Sequence, residues 1–129
     1  MKVSVAGSGY AALVASACFA EMGNLVTVYT PQPANTDASI REPGLQAMLD
    51  SNIAARRLSY TLDLNAALDE CDVFILALAS SSSTIDTAFA IAKNLGEQAT
   101  SEFVFINRTS GEIGFTEQLG EAINAELRT

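Results

Sequence analysis

The chain has 129 residues, no histidine or tryptophan, two cysteines, and 7 Lys+Arg against 15 Asp+Glu, for a formal charge of −8. That length fits a single domain, residues 1–129, with enough core to fold without staples. The missing histidines exclude imidazole catalysis and ligation, and the distant pair Cys18 and Cys71 makes neither a disulfide framework nor a zinc site. Five dispersed Arg and two Lys, with only Arg56-Arg57 adjacent, do not make the basic patch that phosphate backbones require, so no nucleic-acid partner is expected.

Lys2 followed by small and apolar residues superficially imitates a signal peptide. Gly7-Ser8-Gly9 interrupts the run after one strand's length, and Glu21 and Gly23 follow, whereas a signal needs an unbroken apolar stretch and a cleavage motif. No apolar run reaches the ~18 residues of a membrane span. A cytoplasmic location, with no membrane partner, is the expectation.

In chain order, Lys2–Ala6 alternates as a strand, and Tyr10–Met22 carries Leu13, Val14, Ala17, Cys18 and Met22 at helical spacing, with Gly23 suited to the position after the helix. Leu25–Tyr29 is a second strand, followed by a loop through Pro31, Pro33, Asn35 and Asp37. Pro43 suits a helix's first turn, and Leu45, Met48, Leu49 and Ile53 form its apolar stripe, with Arg56 and Arg57 at the negative end. Leu58–Thr61 is a short strand, and Asp63 caps a brief helix through Glu70. Val73–Leu78 is a six-residue apolar run, as a central parallel strand covered on both faces requires. Ser83-Thr84-Ile85-Asp86 reads as a capping box; it opens a helix with Ala88, Phe89, Ala92 and Leu95 inward, closed by Gly96. Phe103–Ile106 is a fifth strand, and Thr116–Leu127 a last amphipathic helix. Strands alternating with helices predict an α/β fold: a doubly wound parallel sheet in three αβα layers.

The first strand ends in Gly7-Ser8-Gly9-Tyr10-Ala11-Ala12 and a helix starts at once. In a dinucleotide-binding turn the first glycine makes the bend and the second lets a pyrophosphate approach the backbone. The third position needs only a small residue for helix–strand packing. Amides at the helix start can hold phosphates, so an acidic protein needs no basic side chains for this. A glycine-rich turn with no ligand is the plainer alternative.

Further strings narrow the reading: Ala17-Cys18-Phe19-Ala20-Glu21-Met22-Gly23-Asn24, then Glu42-Pro43-Gly44-Leu45, then Arg57-Leu58 and Asp72-Val73. From Met1 to about Ser110 the chain resembles the N-terminal NAD-binding domain of the UDP-glucose/GDP-mannose dehydrogenases. The resemblance implies a Rossmann-like sheet of five strands in the order 3-2-1-4-5. It implies NAD as cofactor, held by Gly7, Ser8, Gly9, Tyr10, Ala11, Thr30, Ala79, Ser80 and Ser110. Family members oxidise a nucleotide sugar's C6 alcohol to a carboxylate in two NAD-dependent steps, with a Cys nucleophile and a Lys from a later part of a longer chain. Neither group is expected here. Cys18 is read as an inward-facing small hydrophobe, and Cys71 as structural, at the end of the sheet away from the ligand.

Three positions depart from the family pattern. Thr30 stands where an acid should accept hydrogen bonds from the adenosine ribose, and no cation follows at 31–36 to favour NADP. Ala79-Ser80-Ser81 replaces Gly-Thr-Pro, adding a Cβ where a cofactor would approach the backbone. Thr109-Ser110-Gly111-Glu112 replaces Ser-Thr-Val-Pro, keeping a hydroxyl at Ser110 but adding a charge at Glu112. Two readings therefore stand: an NAD(H)-binding module with weakened affinity, or a non-catalytic interaction protein on a degenerate Rossmann scaffold. A methyltransferase would also want an acid at the end of strand two, and a receiver domain would need acids where Ala6-Gly7-Ser8 stands. A complete dehydrogenase is not expected from this chain alone. Exposed apolar surface would favour a homo-oligomer or a separate partner chain.

Overall fold

The computed structural model describes residues 1–7, 9–30, 43–78, 84–109 and 114–127. Five strands form one parallel sheet: β1 (Lys2–Ala6), β2 (Leu25–Tyr29), β3 (Leu58–Thr61), β4 (Val73–Leu76) and β5 (Val104–Asn107). Their order is β3-β2-β1-β4-β5. The helices between them are α1 (Tyr10–Glu21), α2 (Leu45–Ala54), α3 (Leu64–Leu68), α4 (Thr84–Gln98) and α5 (Phe115–Glu126). The expected α/β, doubly wound, Rossmann-like architecture is the one observed.

Period-two alternation divides the core between the sheet's two faces. On one face Val3, Val5, Val26, Val28, Ile75 and Ala77 meet α1 and α2 through Leu13, Ala17, Ala20, Leu45 and Leu49. On the other, Ala6, Phe74 and Leu76 meet α3, α4 and α5 through Ala67, Ala92, Leu95, Leu119 and Ile123. β1 has four successive residues fully buried, one of them the polar Ser4. Its hydroxyl donates to the Ala67 carbonyl, tying β1 to α3 and satisfying a group that would otherwise be costly to bury.

Several local expectations are corrected. Cys18 is exposed rather than inward. The buried stripe of α1 is Ala12, Leu13, Ser16, Ala17 and Ala20. Ser16 can lie there because its hydroxyl donates to the Ala12 carbonyl at 2.7 Å. Pro43 lies in a turn ahead of α2, whose N-cap is Gly44 in the left-handed region, φ +82°. In α2 the inward position is Asn52, fully buried, while Ile53 is 41% exposed. Asn52 donates to Glu21 Oε2 and the Met48 carbonyl, and its Oδ1 accepts from Arg57 Nε, at 2.8–2.9 Å. Asp63 caps α3 as expected, accepting from the Asn65 amide at 3.0 Å, but the helix ends at Leu68, short of Glu70. Gly96 does not close α4; the helix runs through it to Gln98. A Cβ at Gly96 would lie 2.2 Å from the Ile123 carbonyl oxygen, so the glycine lets α5 press against α4. Ser83 of the expected capping box, and the loop at 31–37, lie outside the described residues.

Candidate functional site at the carboxyl end of the sheet

Because β1 is bordered by β2 on one side and β4 on the other, its carboxyl end lies where the strand order reverses. In open α/β sheets that crevice is the ligand-binding position. Gly7 occupies it. Its amide donates to the Tyr29 carbonyl at the end of β2, 3.0 Å away. Its φ of +140° suits glycine, and a Cβ would fall 2.2 Å from the Ala77 carbonyl oxygen just beyond β4. The same hypothetical Cβ would lie 3.1 Å from the Ala12 side chain. Ala12 is the small third residue of the turn and is fully buried, which is the helix–strand packing role read from the sequence.

Gly9 is the N-cap of α1, with φ −83° and no side-chain cap. That φ is open to any residue, so left-handed geometry is not what this second glycine supplies. The first turn of α1 carries no acid. The positive end of the helix dipole and its first amides therefore meet no carboxylate of their own turn. Tyr10 is 52% exposed and Ala11 is exposed beside it.

Thr30 follows β2 and is 3% exposed, its amide donating to the Thr61 carbonyl at 3.2 Å. The site's β4–β5 side is held by Thr109, whose Oγ1 accepts from the Leu78 amide at 3.0 Å and donates to the Leu76 carbonyl at 3.4 Å. Asn107 continues the chain of contacts, accepting from the Thr109 amide at 2.9 Å and donating to Thr116 Oγ1 at 3.1 Å. This Thr109–Asn107 clamp was not singled out from sequence; a hydroxyl two residues beyond an Asn-ended strand was its one visible sign. The structure thus brings Gly7, Gly9, Tyr10, Ala11 and Thr30 to the carboxyl end of β1 and β2. Ser8, Ala79, Ser80 and Ser110 lie outside the described residues. Among the described residues no cluster of acids or cysteines could hold a metal.

Neither cysteine has the setting of a nucleophile at this crevice. Cys71 precedes β4, at the opposite end of the strand, and is 3% exposed with its thiol donating to the Val73 carbonyl. Burial pushes that thiol up from its ordinary value, against the smaller opposing pull of hydrogen bonds and the Lys2 charge. A thiol held protonated is inert as a nucleophile.

The profile of the UDP-glucose/GDP-mannose dehydrogenase family, NAD binding domain, matches residues 1–128. The chain belongs to this family. A UDP-glucose 6-dehydrogenase of Pseudomonas aeruginosa is 30% identical over 98% of the chain, and UDP-glucose 6-dehydrogenase TuaD of Bacillus subtilis is 31% identical over 88%. The chain spans 30% and 27% of the length of these two relatives. Among solved structures, GDP-mannose dehydrogenase of Pseudomonas aeruginosa superposes with a TM-score of 0.85 at 21% identity, over 98% of this chain and 32% of that one. The UDP-D-ManNAc dehydrogenase of Pyrococcus horikoshii gives 0.84 at 22% identity, over 100% and 34%. These likenesses carry the fold. The dehydrogenase family's NAD-binding domain is thus present from its first strand to α5. No helix among the described residues is long and apolar enough to cross a membrane.

Proposed function

We propose that this chain is an NAD(H)-binding module whose affinity is reduced by Thr30, and that it supplies cofactor binding rather than chemistry. The observation that carries the reading is the Gly7 turn, pressed against Ala77 at the strand-order reversal and leading into a helix start free of acids. In this reading the amides after Gly9 hold the pyrophosphate, and the crevice between β1 and β4 takes the rest of the dinucleotide. NAD, when bound, supplies a hydride acceptor. Thr30 puts a neutral, buried residue where the family places the carboxylate that accepts from the ribose. A charged hydrogen bond of about 1.5–3 kcal/mol is thereby lost, which is roughly tenfold to a hundredfold in affinity.

A thermal-shift series with NAD⁺, NADH, NADP⁺ and a UDP-sugar tests this. Ligand at ~100 times its Kd adds about 2.7 kcal/mol, so NAD⁺ or NADH raises the midpoint by several degrees. Thr30→Asp enlarges that shift and lowers Kd by at least about tenfold. If millimolar NAD⁺ and NADH both leave the midpoint unmoved in the parent and in Thr30→Asp, the reading fails. The second reading, a Rossmann scaffold serving a non-catalytic interaction, rests on the buried Thr30 and would then replace it.

A further inference from the structure

One peptide unit, between Ala77 and Leu78, lies at the bottom of the crevice between β1 and β4. The Ala77 amide donates to the Ala6 carbonyl at 2.9 Å, which keeps the chain beside β1 after β4 has ended. The Ala77 carbonyl then lies against Gly7, where a Cβ would come within 2.2 Å of its oxygen. Carbonyl and N–H of a trans peptide point in opposite directions, so the Leu78 N–H of the same unit faces away from β1, toward β5. There it donates to Thr109 Oγ1 at 3.0 Å.

That acceptor is a side chain in a main-chain position. The Val104 and Arg108 amides donate to the Asp72 and Leu76 carbonyls in the parallel ladder, at 2.9 and 2.7 Å. Continuing the alternation would bring the Leu78 amide to the Arg108 carbonyl, and it is the Thr109 hydroxyl that accepts from it. The hydroxyl gives its own proton to the Leu76 carbonyl at 3.4 Å. Thr109 is 6% exposed and Ala77 1%, so solvent has little access to this bond, and an amide stripped of its acceptor there is costly. Thr109 is itself held: Asn107 Oδ1 accepts from its amide at 2.9 Å, and Asn107 Nδ2 donates to Thr116 Oγ1, in the first turn of α5, at 3.1 Å.

We propose that Thr109 is a positioning residue for the nicotinamide half of the dinucleotide, fixing the plane of the Ala77–Leu78 peptide against which that half lies, a role that rests on the chain's being an NAD(H)-binding module. A dinucleotide lies across the strand-order reversal, one mononucleotide to each side. With the adenosine ribose at the end of β2, where Thr30 stands, and the pyrophosphate at the start of α1, the nicotinamide half falls on the β4 side. Thr109 acts without touching it. A buried hydrogen bond behind the contact surface holds that surface in the geometry the ligand needs.

The test is a heteronuclear NMR titration of the chain with NAD⁺ and, separately, with ADP, which carries only the adenosine half and its phosphates. The parent binds both. Thr109→Val keeps the side chain's shape but removes the acceptor; it raises the Kd for NAD⁺ by about tenfold and leaves that for ADP within about twofold. Thr109→Ser, which keeps the hydroxyl, retains the parent Kd for NAD⁺. In the ligand-free chain, exchange of the Leu78 amide with solvent accelerates in Thr109→Val and not in Thr109→Ser. Asn107→Ala frees the Thr109 backbone and gives a smaller loss in the same sense, and it carries the test if Thr109→Val does not fold. Equal weakening of NAD⁺ and ADP, or of neither, overturns the positioning role while leaving the NAD(H) reading in place. Unchanged Leu78 exchange in Thr109→Val overturns it as well. A parent that does not bind NAD⁺ overturns both.

Discussion

Gly7 is where sequence spacing and three-dimensional fit agree most closely. Its role as the first glycine was readable from the string after β1, but the reason became visible only with Ala77, a partner 70 residues away. Gly7→Ala combines a disfavoured φ with a Cβ 2.2 Å from a carbonyl oxygen. It should cost about 1–3 kcal/mol, read as a midpoint several degrees lower, and abolish any NAD-dependent shift. Cys71 gives a second residue-scale expectation. Its folded-state pKa is raised above the ordinary 9.0, so its contribution to stability is complete below that pH and is lost as pH rises through the raised value. Tyr60, raised from 10.0 by burial and by Asp50, acts in the same sense at higher pH. Urea midpoints should therefore fall above about pH 9, and Cys71→Ala should flatten the first part of that fall. An equally steep fall in the variant would assign the loss to other groups. Cys18 was misread because a thiol counts as apolar in a helical stripe, while Ser16, nominally polar, satisfies itself on the Ala12 carbonyl and takes the buried place.

Elements were legible where apolar periodicity and turn residues coincide, and less so where glycine or a polar side chain serves packing. α2 shows the limit: the stripe at Leu45, Met48 and Leu49 continues to Asn52, which a purely apolar pattern passes over for Ile53. Gly96 shows another. Glycine near the end of an amphipathic run reads as a stop, yet here it is the contact point of α4 with α5. Gly96→Ala should destabilise by about 1–3 kcal/mol through overpacking, despite alanine's better helix propensity. Gly120→Ala, in α5, adds a Cβ with nothing within 4 Å and should stabilise by up to about 1 kcal/mol. Paired urea denaturation of the two variants checks both signs; equal shifts would refute the close-packing role of Gly96.

At the scale of the whole molecule, alternating strands and helices were enough for a parallel, doubly wound sheet. The order β3-β2-β1-β4-β5 needed the family likeness, because nothing in alternation says which strand is central. The candidate site was half legible for the same reason. The glycine turn is local, whereas the Thr109 bridge from β5 to the Leu78 amide joins residues 31 apart and has no contiguous signature. Thr30 was visible as a departure, and its burial at the end of β2 gives that departure a place in space.

The central position of β1 has a consequence for assembly. β2 can join β1 through a short crossover, but β4 arrives only after residue 72, where Lys2 donates to Asp72 and Ser4 to Ala67 across separations of 70 and 63 residues. β1 must therefore keep one edge open until the 70 residues that separate Lys2 from Asp72 have been synthesised. The entropy of closing so long a loop falls on that single docking step, which sets the tempo of folding. It also makes β1, which gives Val3 and Val5 to one core and Ala6 to the other, the seam on which the cooperativity of the domain depends.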